Sequence, residues 1–187
     1  MNKINKGEKG YLNYRKIALL LSVLGCLAGV ALFFFTGYIR YNSTKTIFTV
    51  LAVLMVLPAA KQFVIYAVMA PYKSVDFDKY DTIDKIISDT NVHMISDLVI
   101  TSPERVVNVD LICVKGGRII GYASHKKADT SYVSEHLKKV INPQYKVNQM
   151  KVVNEFDKYI NYIDELKLVE ESKYDEDITK LILSQCV

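Results

Sequence analysis

Residues 105–124 read RVVNVDLICVKGGRIIGYAS, and this stretch decides the fold of the larger part of the chain. Its first half is β-branched and apolar, the composition of a strand. Gly116-Gly117 then supplies a two-residue turn, because a tight hairpin needs positive φ and glycine adopts it without a steric cost. Residues 118–124 return as the partner strand. Strict alternation places Val107, Val109, Leu111 and Cys113 on one face and Asn108, Asp110, Ile112 and Val114 on the other. As a hairpin turn the glycine pair needs no ligand. The spacing and the Lys-Ser/Thr of a phosphate loop do not accompany it.

Helical patterns flank the hairpin. Tyr80, Ile83, Ile86 and Ile87 recur at helical spacing and predict a helix over 78–88. A strand follows over 94–101, and Ser102-Pro103-Glu104 turns the chain. Beyond the hairpin, Val133, Leu137, Val140 and Ile141 mark a helix over 130–141, stopped by Asn142-Pro143. Residues 146–153 predict a fourth strand. Asn154 is placed to cap a helix whose stripe is Phe156, Tyr159, Ile160, Ile163 and Leu166. Ser172, with Asp175 three residues later, starts a last helix carrying Ile178, Leu181 and Ile182. The order is α-β-β-β-α-β-α-α, an α+β domain with a mixed sheet.

The N-terminal part obeys a different rule. Residues 17–39 carry no charge over 23 positions. A helix of that length spans roughly 30 Å of hydrocarbon. Residues 46–72 form a second apolar segment, interrupted by Pro58 and Lys61-Gln62. Each of its halves is too short to span alone. One kinked span that includes Lys61 is the preferred reading; a span ending near residue 60, followed by an interfacial helix, is the alternative. Lys61 then snorkels to a headgroup or faces the other helix. The first apolar run is too long for a cleaved signal peptide, no small-x-small site follows it, and a second apolar segment comes after. It predicts an uncleaved anchor.

The chain thus divides into a basic leader (1–16), spans over 17–39 and 46–72, a loop over 40–45, and a domain over 73–187. The leader carries Lys3, Lys6, Lys9, Arg15 and Lys16, against two basic residues in the loop. The positive-inside rule places both termini in the cytoplasm of a multi-pass protein of the cell membrane. Asn42-Ser43-Thr44 is formally a glycosylation acceptor, but it lies close to the membrane in a chain of bacterial composition. Three cysteines, Cys26, Cys113 and Cys186, make neither a disulfide framework nor a metal set. A reducing compartment suits them.

Charge is unevenly distributed. Residues 1–72 hold eight Lys/Arg against one Glu; residues 73–187 hold 16 Lys/Arg against 19 Asp/Glu. Neither part has the global basicity of a dedicated nucleic-acid binder. Within the domain, residues 115–151 hold eight Lys/Arg against two acids, and residues 152–187 hold four against nine. Lys126, Lys127, Lys138 and Lys139 are the candidate surface for an anionic partner: a lipid leaflet, nucleic-acid phosphates or an acidic protein. An ordinary solvated surface accounts for the same residues. Cys113 paired with His93, His125 or His136 is a candidate for nucleophilic catalysis, although a cysteine alternating with Val and Leu more often packs a core. The three histidines have no zinc spacing, and no cofactor is expected. In the first span Gly25 and Gly29 form Gly-x-x-x-Gly with Ser22 on the same side. This permits close packing against the second span or a second copy.

The αβββαβ order over residues 78–152 resembles the core of restriction-endonuclease-like domains, and residues 97–121 are similar to the nuclease-related domain family. That resemblance implies a metal site of at least two carboxylates and a lysine, with Asp97 and Lys115 as counterparts. Cys113 then stands where the family has glutamate, and a thiol is a poor ligand for a hard cation. In the other register Asp110 is the first acid, and no Asp/Glu-x-Lys occurs in the following RIIGYASHKK. Either way a carboxylate is missing, and the resemblance implies a degenerate scaffold. The Lys/Gly-rich leader and Leu57-Pro58-Ala59-Ala60-Lys61 are similar to uncharacterised two-span membrane proteins of Gram-positive bacteria, which implies no activity. The expectation is a membrane-anchored, non-catalytic interaction domain that meets the bilayer and a protein partner or a second copy. A nucleic-acid-binding or metal-dependent nuclease-like protein is the less favoured alternative.

Overall fold

The computed structural model describes residues 4–43, 45–102, 104–125 and 129–186. Lys3, Thr44, Pro103, Lys126 and Lys127 lie outside the described residues. The chain forms two compact units, one of Asn13–Pro71 and one of Met1–Leu12 with Tyr72–Val187.

The first unit is a helical hairpin. It holds most of α1 (Tyr11–Tyr41) and all of α2 (Ile47–Met69). Both helices are long and apolar enough to cross a membrane. The second is one continuous helix despite Pro58. An apolar helix tolerates proline when local adjustments satisfy the carbonyl that loses its donor. The helices run antiparallel. At one end Lys16 Nζ donates to Ala70 O at 3.3 Å. Midway, a Cβ on Gly29 would lie 2.7 Å from Met55 Cε; at the other end, one on Gly37 would lie 2.8 Å from Phe48 Cβ. Leu19, Val23, Ala52 and Ala59 are buried, while most other apolar side chains of both helices point outward.

The second unit contains α3 (Phe77–Ile87), β1 (His93–Thr101), β2 (Val106–Lys115), β3 (Arg118–Tyr122), α4 (Thr130–Ile141), β4 (Gln149–Val153), α5 (Phe156–Lys167) and α6 (Asp175–Ser184). The predicted order holds, and the domain is α+β. Asp76 caps α3 by accepting from Asp78 N at 3.3 Å, and Asp129 caps α4 by accepting from Tyr132 N at 3.0 Å. Three local expectations change. Tyr174, not Ser172, takes the N-cap position of α6, which starts at Asp175 and has no side-chain capping bond. Glu155, not Asn154, takes the N-cap position of α5, and its side chain makes no capping bond. That carboxylate pairs instead with Lys158 at 3.0 Å. The fourth strand starts at Gln149 rather than 146, because Asn148 closes the hairpin: its N donates to Gly117 O at 2.9 Å and its Nδ2 to Gly116 O at 3.1 Å.

The four strands lie in the order β1-β2-β3-β4. The first three form an antiparallel meander, and β3 pairs parallel with β4, a geometry that requires the α4 crossover. One core packs α4 and α6 side chains, among them Leu137 and Ile182, on Ile95, Leu98, Ile112 and Ile119. The other packs α3 and α5 side chains, among them Ile83 and Tyr159, on Leu111, Cys113, Ile120 and Tyr122.

The expected alternation on β2 is overturned at one point. Val109 joins Ile112 and Val114 in the first core, whereas Leu111 and Cys113 belong to the second. The phase slips at Asp110. On β1 it slips in step: Ile95 and Leu98 share one core while Met94 packs on the other. Ser96 pairs with Leu111 and Leu98 with Val109, so Asp97 lies opposite Asp110. Asp97 has φ +56, a left-handed conformation that aspartate tolerates better than most residues.

Candidate functional site

The centre of the sheet therefore brings together two of the three carboxylate and lysine candidates, Asp97 and Asp110, each 3% exposed. Their bonds show what the sequence spends them on. Asp97 Oδ1 accepts from Val75 N at 2.8 Å, and Oδ2 accepts from Leu12 N at 3.2 Å. These donors lie on the two chain segments that lead into and out of the helical hairpin. Burial pushes the Asp97 carboxyl above its ordinary value; the Val75 and Leu12 N–H groups and the Ser74 hydroxyl oppose the rise, and the charge of Asp110 adds to it. Asp110 Oδ1 accepts from Asn108 Nδ2 at 3.0 Å, and Oδ2 accepts from Ser124 N.

Lys115 does not join them. It ends β2 opposite Arg118, five residues or roughly 16 Å along the strand from Asp110. Its Nζ donates to Lys167 O at 2.9 Å. The cation near Asp110 is Lys79 of α3, which the sequence reading missed. Its Nζ donates to Tyr122 Oη at 2.8 Å and lies over the Tyr122 and Phe156 rings. The Tyr122 bond raises its pKa most, and the charge of Asp110 adds a smaller share. A lysine that recurs among acids on an exposed helix turn carries no signal in sequence; only the packing of α3 on β3 reveals it.

Residues 4–12 of the leader are part of this unit. Ser96 N donates to Gly7 O at 2.8 Å, and Lys6 Nζ donates to Cys186 O. Lys9 Nζ bonds Asp81 at 2.5 Å and lies over the Phe77 ring at 4.7 Å. Gly7 has φ +90, and a Cβ there would press on Leu183 and Ile95.

The hairpin turn does have a ligand, supplied by the protein. Gly116 (φ +59) and Gly117 (φ +68) turn their N–H groups toward one carboxylate. Gly116 N donates to Asp175 Oδ2 at 2.7 Å, and Gly117 N to Asp175 Oδ1 at 2.9 Å. Ser172 N donates to the same Oδ2 at 2.8 Å, so Asp175 joins the turn to the start of α6. Successive backbone N–H groups of this kind form an anion-binding nest, here filled by a fully buried aspartate.

The other candidates are placed apart. Cys113 is fully buried and its Sγ accepts from Tyr159 Oη at 3.3 Å; burial pushes its thiol up to about 12. His93 Nε2 lies 3.8 Å from Glu171, and His136 stacks on Tyr132. His125 borders a cleft of ≈ 190 Å³ with Tyr72, Arg105, Asn108 and Asp129. Arg105 pairs there with Asp129 at 3.1 Å. Asn108 Oδ1 is buried without a hydrogen-bond partner among the described residues. Among those residues, no three His, Cys, Asp or Glu side chains are grouped to hold a metal ion. In the basic block Lys138 is exposed, and Lys139 pairs with Glu135 at 3.0 Å. In the helical hairpin Gly29 packs against α2, whereas a Cβ on Gly25 would meet nothing and Ser22 is exposed. No protein-family model, no curated protein and no solved structure matches the chain.

Proposed function

We propose that the chain is a membrane-anchored protein of the bacterial cell membrane. It crosses the bilayer twice with both termini in the cytoplasm, and its α+β domain is a non-catalytic interaction module. One observation carries the second half of this reading: the residues that match a nuclease site are committed to holding backbone. Asp97 clamps Leu12 and Val75, Asp110 holds Ser124, and Lys115 holds Lys167 at the far end of the strand. A nuclease needs such carboxylates open to a cation and to attacking water. The first half is supported by two helices of spanning length and by the excess of Lys and Arg before the uncharged stretch 17–39. The partner surface is the basic side of the domain, with Lys138 at its exposed edge.

The αβββαβ order is what favours the nuclease-like alternative, and one experiment separates the two. The full chain, reconstituted in lipid nanodiscs, is incubated with DNA and RNA in Mg²⁺ or Mn²⁺ at low salt. The expected outcome is no cleavage and no binding that weakens with salt. Cleavage abolished by Asp110→Asn, or salt-sensitive binding abolished by Lys138→Ala with Lys139→Ala, would replace the proposal with the alternative. Orientation is read separately, by protease access to the domain in sealed vesicles of known sidedness.

A further inference from the structure

Lys61 lies in α2 eight residues before its last residue, Met69. At 1.5 Å per residue its Cα is about 12 Å inside the C-terminal end of the helix and about 4–5 Å from the helix midpoint at Pro58. It is exposed. On a helical projection it shares its face with Val50, Leu54, Leu57 and Val64, which are 57, 54, 66 and 60% exposed. The buried Ala52 and Ala59 lie on the opposite face. Lys61 therefore points away from the side of α2 that packs on α1, and the option that it faces the other helix is closed. No hydrogen bond or ion pair engages it among the described residues. Residues 13–71 contain no Asp or Glu, so the helical hairpin cannot supply a counter-charge.

A lysine at this depth in hydrocarbon is costly unless it reaches a headgroup or is paired. Side chains on a helix lean toward its N-terminal end. For Lys61 that lean is toward Pro58 and the midpoint, against the direction of the nearer headgroups. A second copy of the chain, in the same orientation, brings a second lysine at the same depth and no acid. Pro58, one turn earlier, has no N–H for the Leu54 carbonyl, which leaves polar backbone near this face.

We infer that Lys61 is the docking point for a spanning helix of a different protein that carries an Asp or Glu at matching depth, with Leu57 and Val64 as the apolar flanks of the contact. The inference rests on the reading of α2 as a membrane span. The full chain is reconstituted in phosphatidylcholine vesicles with synthetic Leu/Ala spanning peptides that carry either one central Asp or none, and association is read by energy transfer. The Asp peptide should associate roughly tenfold more tightly than its all-apolar counterpart. Lys61→Leu should erase that difference and Lys61→Arg should keep it. Equal association of the two peptides with the wild type, or an unchanged preference in Lys61→Leu, overturns the inference. So does modification of Lys61 by a water-soluble amine reagent, which would place the ammonium among lipid headgroups. Release of the chain from the vesicles by alkaline carbonate, scored before peptide is added, sinks the span reading itself.

Discussion

Asp97 Oδ1 holds the backbone N–H of Val75 at 2.8 Å, from a β-strand residue in the left-handed conformation. With Leu12 on its other oxygen, this carboxylate ties the segments that flank the helical hairpin in sequence to the centre of the sheet. Replacing it with alanine leaves two buried N–H groups without a partner. Asp97→Ala is expected to cost about 2–4 kcal/mol. Asp97→Asn, which keeps one acceptor and tolerates positive φ, should cost less than half of that. Denaturant unfolding of the full chain in detergent, followed by a probe on the domain, measures both; equal costs would refute the clamp.

The same residue sets a pH dependence. Its folded pKa lies above the ordinary value of 3.8, chiefly through burial. A raised folded pKa means that the folded state holds the proton more tightly, so the contribution is full below 3.8 and fades as pH rises through the folded pKa. Asparagine does not titrate. The stability gap between wild type and Asp97→Asn is therefore widest near pH 3.5 and narrows toward pH 7. A gap that widens with pH contradicts the assignment.

The turn at Gly116-Gly117 predicts an unequal pair of alanine effects. A Cβ on Gly116 would sit 2.3 Å from Val169 Cγ1 and 2.5 Å from Glu170 O, whereas one on Gly117 meets Lys146 O at 3.3 Å. Both positions also carry the cost of positive φ. Gly116→Ala should destabilise by about 3 kcal/mol or more and Gly117→Ala by about 1–2 kcal/mol. Asp175→Ala, which empties the nest, should cost about 2–3 kcal/mol. Unfolding midpoints order the three.

Thiol chemistry checks the packing of Cys113 and Cys186. Burial pushes both thiols up to about 12. In a Cys26→Ala background at pH 7.5, maleimide should modify the native chain roughly a thousandfold more slowly than the denatured chain. Rapid modification of Cys113 would mean that it is not in the core.

In the helical hairpin the three glycines should differ. Gly25 has open space, Gly29 faces the flexible end of Met55, and Gly37 faces Phe48 Cβ and Thr46 Oγ1. Alanine is expected to be neutral at Gly25, mild at Gly29 and costly by about 1 kcal/mol or more at Gly37. Thermal unfolding of the full chain in detergent tests the order.

Much of the framework was legible along the chain. Glycine pairs, apolar stripes and stops such as Asn142-Pro143 act over a few residues, so their physics is written in local spacing, and the α-β-β-β-α-β-α-α order follows from them. Asn154 misled because α5 starts one residue later than its cap required, and Glu155 takes the cap position without making a capping bond. The face assignment of Val109 failed for a different reason. Strict alternation assumes an undistorted ladder, and the distortion opposite Asp97 depends on a second strand 13 residues away.

By itself the sequence determined the two long apolar helices, the mixed α+β domain and the shortage of carboxylates in the expected catalytic pattern, because hydrophobic period and residue chemistry are properties of short segments. Only the tertiary structure decided what the remaining charges do. Asp97 meets Leu12 and Val75, Asp175 meets Gly116 and Gly117, and Lys79 comes near Asp110 through contacts separated by 22 to 85 residues. Such pairings arise when buried polar groups must find partners inside a packed core, and no local pattern encodes which partner that is.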